Sequence, residues 1–141
     1  MGFVGVPDKI NNEIILNIIK ENKIPIISPL GLQGNQTFNI NGDIAAGKIA
    51  QSLKSRRLLL MTNVEGVLDK NNKLIEEISS SEIIEMIKNE TITGGMIPKI
   101  KNCLDVASNG VKGVVIIDGR KNHSILFELL SDKGSGTLIR Q

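Results

Sequence analysis

The residues 93–99 read Thr93-Gly94-Gly95-Met96-Ile97-Pro98-Lys99. Two glycines give backbone freedom and N–H groups that no side chain shields. Lys99 follows four residues after Gly95, where a helical run has begun. Backbone donors at a helix N-terminus, with an ammonium close by, are what an anionic phosphoryl group needs. The spacing is neither a Walker A loop nor a dinucleotide-binding glycine fingerprint, so taken alone a capped helix with a solvated lysine is the commoner meaning.

Two further polar clusters stand at the ends of predicted elements, where α/β proteins place their sites. In Asn39-Ile40-Asn41-Gly42-Asp43, strand alternation puts Asn39 and Asn41 on one face. An amide there can read a carboxylate, and Asp43 at a helix start can hold a nearby cation. The commoner meaning of such residues is an Asx-rich turn and a cap. Thr62-Asn63-Val64-Glu65-Gly66-Val67 follows an apolar run and could wall a nucleotide. Locally it reads better as a strand passing into a turn.

The elements that must carry these clusters come from a chain of 141 residues, enough for one ordinary domain. With three phenylalanines and no tyrosine or tryptophan, the core must be built from Ile, Leu and Val, and no aromatic platform exists for stacking nucleic acid. Net charge is +2 with both signs interspersed, which points to neither nucleic acid nor a membrane. One cysteine excludes an intrachain disulfide framework, and with one distant histidine it excludes a Cys/His zinc site. His123 is assigned no catalytic role. The richness in Ile, Asn and Lys suits A+T-rich coding, as in organelle genomes, so the expected setting is a soluble protein of cytoplasm or plastid stroma.

Periodicity predicts helices over 12–20, 44–55, 82–89, 99–108 and 124–130. Asp43 is the expected cap of the second, and a serine among residues 79–81 of the third. Strands are predicted over 24–30, 36–40, 57–64, 113–117 and toward 139, with a hairpin loop over 31–35. The near-continuous apolar run 57–64 reads as a strand buried on both faces. Strand and helix alternate, so the class is α/β with a largely parallel central sheet.

Five segments now fall into a series: Asn39-Ile40-Asn41 with Asp43 and Ala45-Ala46; Leu58-Leu59-Leu60-Met61-Thr62 with Val64 and Gly66-Val67-Leu68; Thr93 to Lys99; Ile116-Ile117-Asp118-Gly119-Arg120 with His123-Ser124; and Gly134 with Gly136-Thr137. In order and spacing, over nearly the whole chain, this series resembles the acetylglutamate kinases of the amino-acid kinase family. The resemblance implies a three-layer αβα fold and ATP-dependent phosphorylation of the side-chain carboxylate of N-acetyl-L-glutamate, the second step of arginine synthesis, with ATP carrying Mg²⁺. It places Asn39 at the substrate α-carboxylate and Asp43 where catalytic lysines are oriented. Lys99 falls on the lysine facing the transferring phosphoryl group, and Thr62, Gly66, Thr91, Thr93, Gly94 and Gly95 fall in the ATP-binding region.

The match begins mid-family: the acceptor-binding half, with its lysine beside glycines, its Gly-Gly loop and its substrate-gripping arginine, has no counterpart in these residues. The expectation is therefore that residues 1–141 are the C-terminal, nucleotide-binding portion of such an enzyme. Asn63 stands where the family often has Asp, and Gly42 where it often has Ala. Glu128 and Gly134 resemble the effector pocket of the arginine-inhibited branch, although Val115 replaces a histidine found there. A homo-oligomer and a PII-type signal protein are the further partners implied. The alternatives are another amino-acid kinase, acting on uridylate, aspartate or glutamate, and an inactive nucleotide- or arginine-binding remnant. The paired segments around Asp118 to Arg120 and His123 to Glu128 favour the first reading.

Overall fold

A computed structural model describes residues 2–132 and 134–140. The chain order is β1 (Val4–Gly5), α1 (Asn12–Lys20), β2 (Leu30–Gln33), β3 (Gln36–Ile40), α2 (Gly42–Ser52), β4 (Leu58–Thr62), β5 (Glu77–Ser79), α3 (Ser80–Lys88), α4 (Met96–Ser108), β6 (Val114–Asp118), α5 (Ser124–Leu130) and β7 (Gly136–Arg140). The strands form two sheets rather than one, ordered β1-β3-β2 and β4-β6-β7-β5. In the larger sheet β4 and β6 are parallel, β5 and β7 are parallel, and β6 meets β7 antiparallel, so the sheet is mixed. No helix among the described residues is long and apolar enough to cross a membrane.

The core follows from β6, whose five residues Val-Val-Ile-Ile-Asp are all buried. A strand covered on both faces must be apolar throughout, and this one is until its last residue. Val114 and Ile116 join Ile100, Cys103, Val106 and Ala107 of α4 and Ile139 of β7 in the main core. α4 opens with Pro98 in its first turn, where a missing N–H costs nothing. α2 lies close against it: a Cβ on Gly47 would stand 2.7 Å from Cγ2 of Val106. Only a glycine permits that approach.

Several expectations change here. Residues 24–29 form no strand; the strand begins at Leu30. Pro25 and Pro29 remove two ladder donors from that run, and Ile24 and Ile26 are almost fully exposed. The hairpin turn shrinks to Gly34-Asn35, with Gly34 at φ +57°, in a two-residue connection between β2 and β3. β4 is shorter than 57–64 and is not buried on both faces: Leu60 is buried but Met61 is half exposed. Its only partner among the described strands is β6, so it is an edge. β5 had no visible signal; three residues are too few for a period.

Asp43 is not the cap of α2. Asn41, two residues earlier and extended (φ −60°, ψ 131°), accepts from the backbone N–H of Asp43 at 3.0 Å and of Ile44 at 3.3 Å. That leaves the Asp43 carboxylate free for another partner. Ser79 does cap α3, in a reciprocal capping box with Glu82. Its hydrogen bonds hold the Glu82 carboxyl below the usual carboxylate range.

Candidate phosphoryl-transfer site

α2 leads into β4 and α4 into β6, and these two strands are parallel. The N-termini of both helices therefore return to the end where β4 and β6 finish, the end at which open α/β sheets hold ligands. There the ammonium of Lys99, in the first turn of α4, donates to the carboxylate of Asp43, in the first turn of α2. Fifty-six residues of sequence separate them. Asn102, one turn after Lys99, donates its amide to the Asp43 backbone carbonyl at 3.1 Å. Residues three apart on a helix share a face, so Asn102 and Lys99 grip α2 together. Below them Cys103 is fully buried, and burial pushes its thiol up to about 12, so it is an inert part of the core.

The loop before α4 is built for a backbone approach. Gly94 has φ +57°, a conformation that side chains rarely adopt, and Gly95 caps α4 with no side-chain acceptor. A Cβ on either glycine would meet nothing within 4 Å. The carbonyls of Thr93 and Gly94 accept from Met96 and Ile97. Among the described residues nothing accepts from the N–H groups of Gly94 and Gly95. Exposed donors at a helix N-terminus, with an ammonium one turn further in, form an anion-binding end.

The remaining expected residues divide. Asn39 is on β3, exposed, with its backbone N–H on the Phe3 carbonyl at 2.8 Å. Thr62 ends β4, and its carbonyl accepts from Gly119 at 2.7 Å, so it stands beside Asp118 at the same sheet end. The Thr91 hydroxyl donates to Asn89 at 2.6 Å and helps to close the end of α3. Gly66 is buried at φ +148°, and a Cβ there would stand 2.5 Å from Oγ1 of Thr137. Its glycine identity is therefore explained by packing. That hydroxyl accepts from Val67 N–H at 2.8 Å and donates to the Ile75 carbonyl at 2.6 Å, pinning the 66–75 loop to the sheet.

Glu128 and Gly134 lie in a different place. The Glu128 carboxylate is buried, accepts from Ser135 N–H at 3.0 Å, and meets the Arg57 guanidinium at 3.3 Å. Gly134 has φ +66°, and a Cβ would stand 2.8 Å from the Glu128 carboxylate.

Sequence reasoning missed Asn102, Arg57 and the pair Asp118–Arg120. Arg120 donates to both Asp118 oxygens at 2.9 Å, and it holds that carboxyl down to about 2. The offsets Lys99/Asn102 and Asp118/Arg120 were available as signals; nothing local pointed from Arg57 to Glu128.

The chain is similar in sequence and fold to several known proteins. A curated acetylglutamate kinase of Pelagibacter ubique is 68% identical over 142 aligned positions, covering 100% of this chain and 49% of that protein. One of Nitrobacter winogradskyi is 49% identical over the same span and is covered to 48%. The chain thus spans about half the length of the curated relatives it matches. Among solved structures, N-acetylglutamate synthase of Neisseria gonorrhoeae in complex with coenzyme A and L-arginine superposes with a TM-score of 0.90 at 27% identity, over 98% of this chain and 32% of that one. Carbamate kinase of Giardia lamblia bound to AMP-PNP shares the fold, with a TM-score of 0.67 at 20% identity, over 97% of this chain and 46% of that one. The sequence pattern of the amino acid kinase family matches residues 2–118, and the chain belongs to that family.

Proposed function

We propose that this chain is the C-terminal, ATP-binding half of an acetylglutamate kinase, which moves the γ-phosphoryl group of ATP to the side-chain carboxylate of N-acetyl-L-glutamate in arginine biosynthesis. The observation that carries the reading is the Lys99–Asp43 pair beside the open N–H groups of Gly94 and Gly95. In the reaction an acceptor carboxylate oxygen forms a bond to γ-phosphorus, the bond to the β-bridging oxygen breaks, and ADP leaves with that electron pair. No proton moves, so the protein's task is positioning and charge.

Lys99 supplies that charge to the phosphoryl oxygens. Asp43 holds the ammonium where the charge develops, and Asn102, donating to the Asp43 carbonyl, holds Asp43 in place, which limits reorganisation during transfer. The Gly94 and Gly95 N–H groups take the phosphates, Thr62, Gly66, Thr91 and Thr93 frame the nucleotide, and Asn39 reads the acceptor's α-carboxylate. Among the described residues no group of three or more His, Cys, Asp or Glu gathers. Mg²⁺ in this reading arrives on the nucleotide phosphates and keeps its waters. The bacterial sources of the named relatives support a bacterial cytoplasm over a plastid stroma.

The effector reading of Glu128 and Gly134 rests on one feature: a guanidinium already sits on the buried carboxylate, so its seat fits that group. An arginine ligand would compete with Arg57 for it. Homo-oligomer formation and a PII-type partner remain part of the same proposal.

Lys99→Ala in the whole protein tests the central claim. Turnover of acetylglutamate should fall about 10²- to 10³-fold, with ATP affinity changed only a few-fold. Unchanged turnover, or a loss confined to ATP affinity, would overturn the role of Lys99. Turnover of UMP, aspartate or glutamate in place of acetylglutamate would move the protein to another branch of the family.

A further inference from the structure

Four cations converge at the opposite end of the larger sheet, where β4 and β6 begin and β7 ends. Arg56 and Arg57 come from the connection between α2 and β4, Lys112 from the turn before β6, and Arg140 from the last residue of β7. They line a cavity of about 260 Å³ with Gly113 and Leu138. The cavity depends on the glycine, since a Cβ on Gly113 would stand 2.9 Å from Cδ1 of Leu138. β4 spans five residues. At roughly 3.3 Å per residue that puts about 15 Å between this cavity and the end bearing Thr62.

Among the described residues, two of these four cations have a carboxylate partner. Arg57 meets Glu128 at 3.3 Å and Arg140 meets Glu77 at 3.2 Å. Arg56 and Lys112 face no carboxylate within salt-bridge distance among the described residues. Three separate segments thus bring like charges together around a concavity. Self-repulsion of that kind is relieved by an anion that spans the surplus.

We infer that this cavity is a binding site for a small polyanion, one carrying two or more phosphate or carboxylate charges. The size of the cavity limits the ligand to a small molecule. Arg56 and Lys112 supply the uncommitted charge; Arg57 and Arg140 also line the cavity, and a guanidinium held by one carboxylate keeps further N–H groups that suit either oxyanion. The site is separate from the phosphoryl end and does not rest on the kinase reading, which can fail or hold independently.

The test is a titration of the ¹⁵N-labelled whole protein with pyrophosphate and, separately, with citrate, against acetate at matched ionic strength. The amides of Gly113 and Leu138 should shift saturably with at least one polyanion and not with acetate. A response to pyrophosphate alone identifies a phosphorylated ligand, and to citrate alone a polycarboxylate. The pair Arg56→Gln and Lys112→Gln should weaken binding about tenfold or more. Lys99→Ala should leave the Gly113 response intact. Their spectra report directly that the variants remain folded. Shifts confined to Gly94 and Gly95, an equal response to acetate, no saturable shift, or affinity unchanged in the Arg56/Lys112 variant would each overturn the inference.

Discussion

Gly66→Ala separates packing from nucleotide binding at one residue. The new methyl would lie 2.5 Å from Oγ1 of Thr137, 2.7 Å from Cδ1 of Leu74 and 3.2 Å from the Thr137 backbone nitrogen. The Leu74 methyl can swing aside. The Thr137 hydroxyl cannot move freely, because it holds Val67 N–H and the Ile75 carbonyl. Displacing it strands two polar groups in a buried place, at about 1–2 kcal/mol each. Alanine at φ +148° adds strain of about 1–3 kcal/mol. The sum is about 3–7 kcal/mol, a large fraction of the stability of an ordinary domain. Urea denaturation of the whole protein measures it as a lowered midpoint with unchanged slope. Thr137→Ala removes the obstructing hydroxyl, so Gly66→Ala with Thr137→Ala should cost less than the two singly, by about 1 kcal/mol or more. If Gly66→Ala is as stable as the parent, the packing account is wrong. If it is stable and has lost ATP affinity, the glycine serves the nucleotide instead.

Asn102→Ala removes the amide that ties α4 to the Asp43 carbonyl, so stability should fall by about 1 kcal/mol. Turnover should fall several-fold more than ATP affinity; equal changes in both would deny Asn102 a positioning role. Asp118→Asn tests the pair at the end of β6. Arg120 holds the Asp118 carboxyl at about 2, below its ordinary 3.8, so the pair's stabilisation is complete above 3.8 and is lost as pH falls toward 2. The parent's denaturation midpoint should drop through that window more steeply than the variant's; parallel profiles would show that the pair contributes nothing.

How far the sequence disclosed the molecule depended on the range of the interaction. The helix over 12–20 was legible because an apolar period repeats within it. β6 was legible as a continuous apolar run up to Asp118. The false strand at 24–29 shows the limit of composition: β-branched residues flanked by prolines look like a strand until the missing donors are counted. Capping by Asn41 rather than Asp43 turned on a single position, since both side chains can cap and only the extended backbone at 41 decides. Of the site, the glycine loop and Lys99 could be read locally. That Asp43 is its partner came from family resemblance, and the contact itself exists only once α2 is laid against α4 across Gly47. Arg57 on Glu128 spans 71 residues and has no local signature at all.

The same long-range contacts explain how the two sheets can work as one site. The dry core belongs to the larger sheet and α4, whereas the smaller sheet leaves Val4, Val6 and Leu32 largely exposed. Asn39 belongs to that loosely packed sheet, and Lys99 to α4, which packs in the dense core. Only Asn41 and Gly42 lie between the end of β3 at Ile40 and Asp43, and the Asp43 carboxylate is ion-paired to Lys99. A displacement of β3 therefore reaches the phosphoryl-facing lysine through the cap of α2 without passing through the core. Replacing Asn41 would leave the core untouched and still loosen Asp43, since the cap is what fixes the first turn that carries it. If Asn39 reads the acceptor and Lys99 the phosphoryl group, as proposed, the short Asn41–Asp43 segment is the link between them, and loosening the cap should disturb Lys99 while the core stays intact.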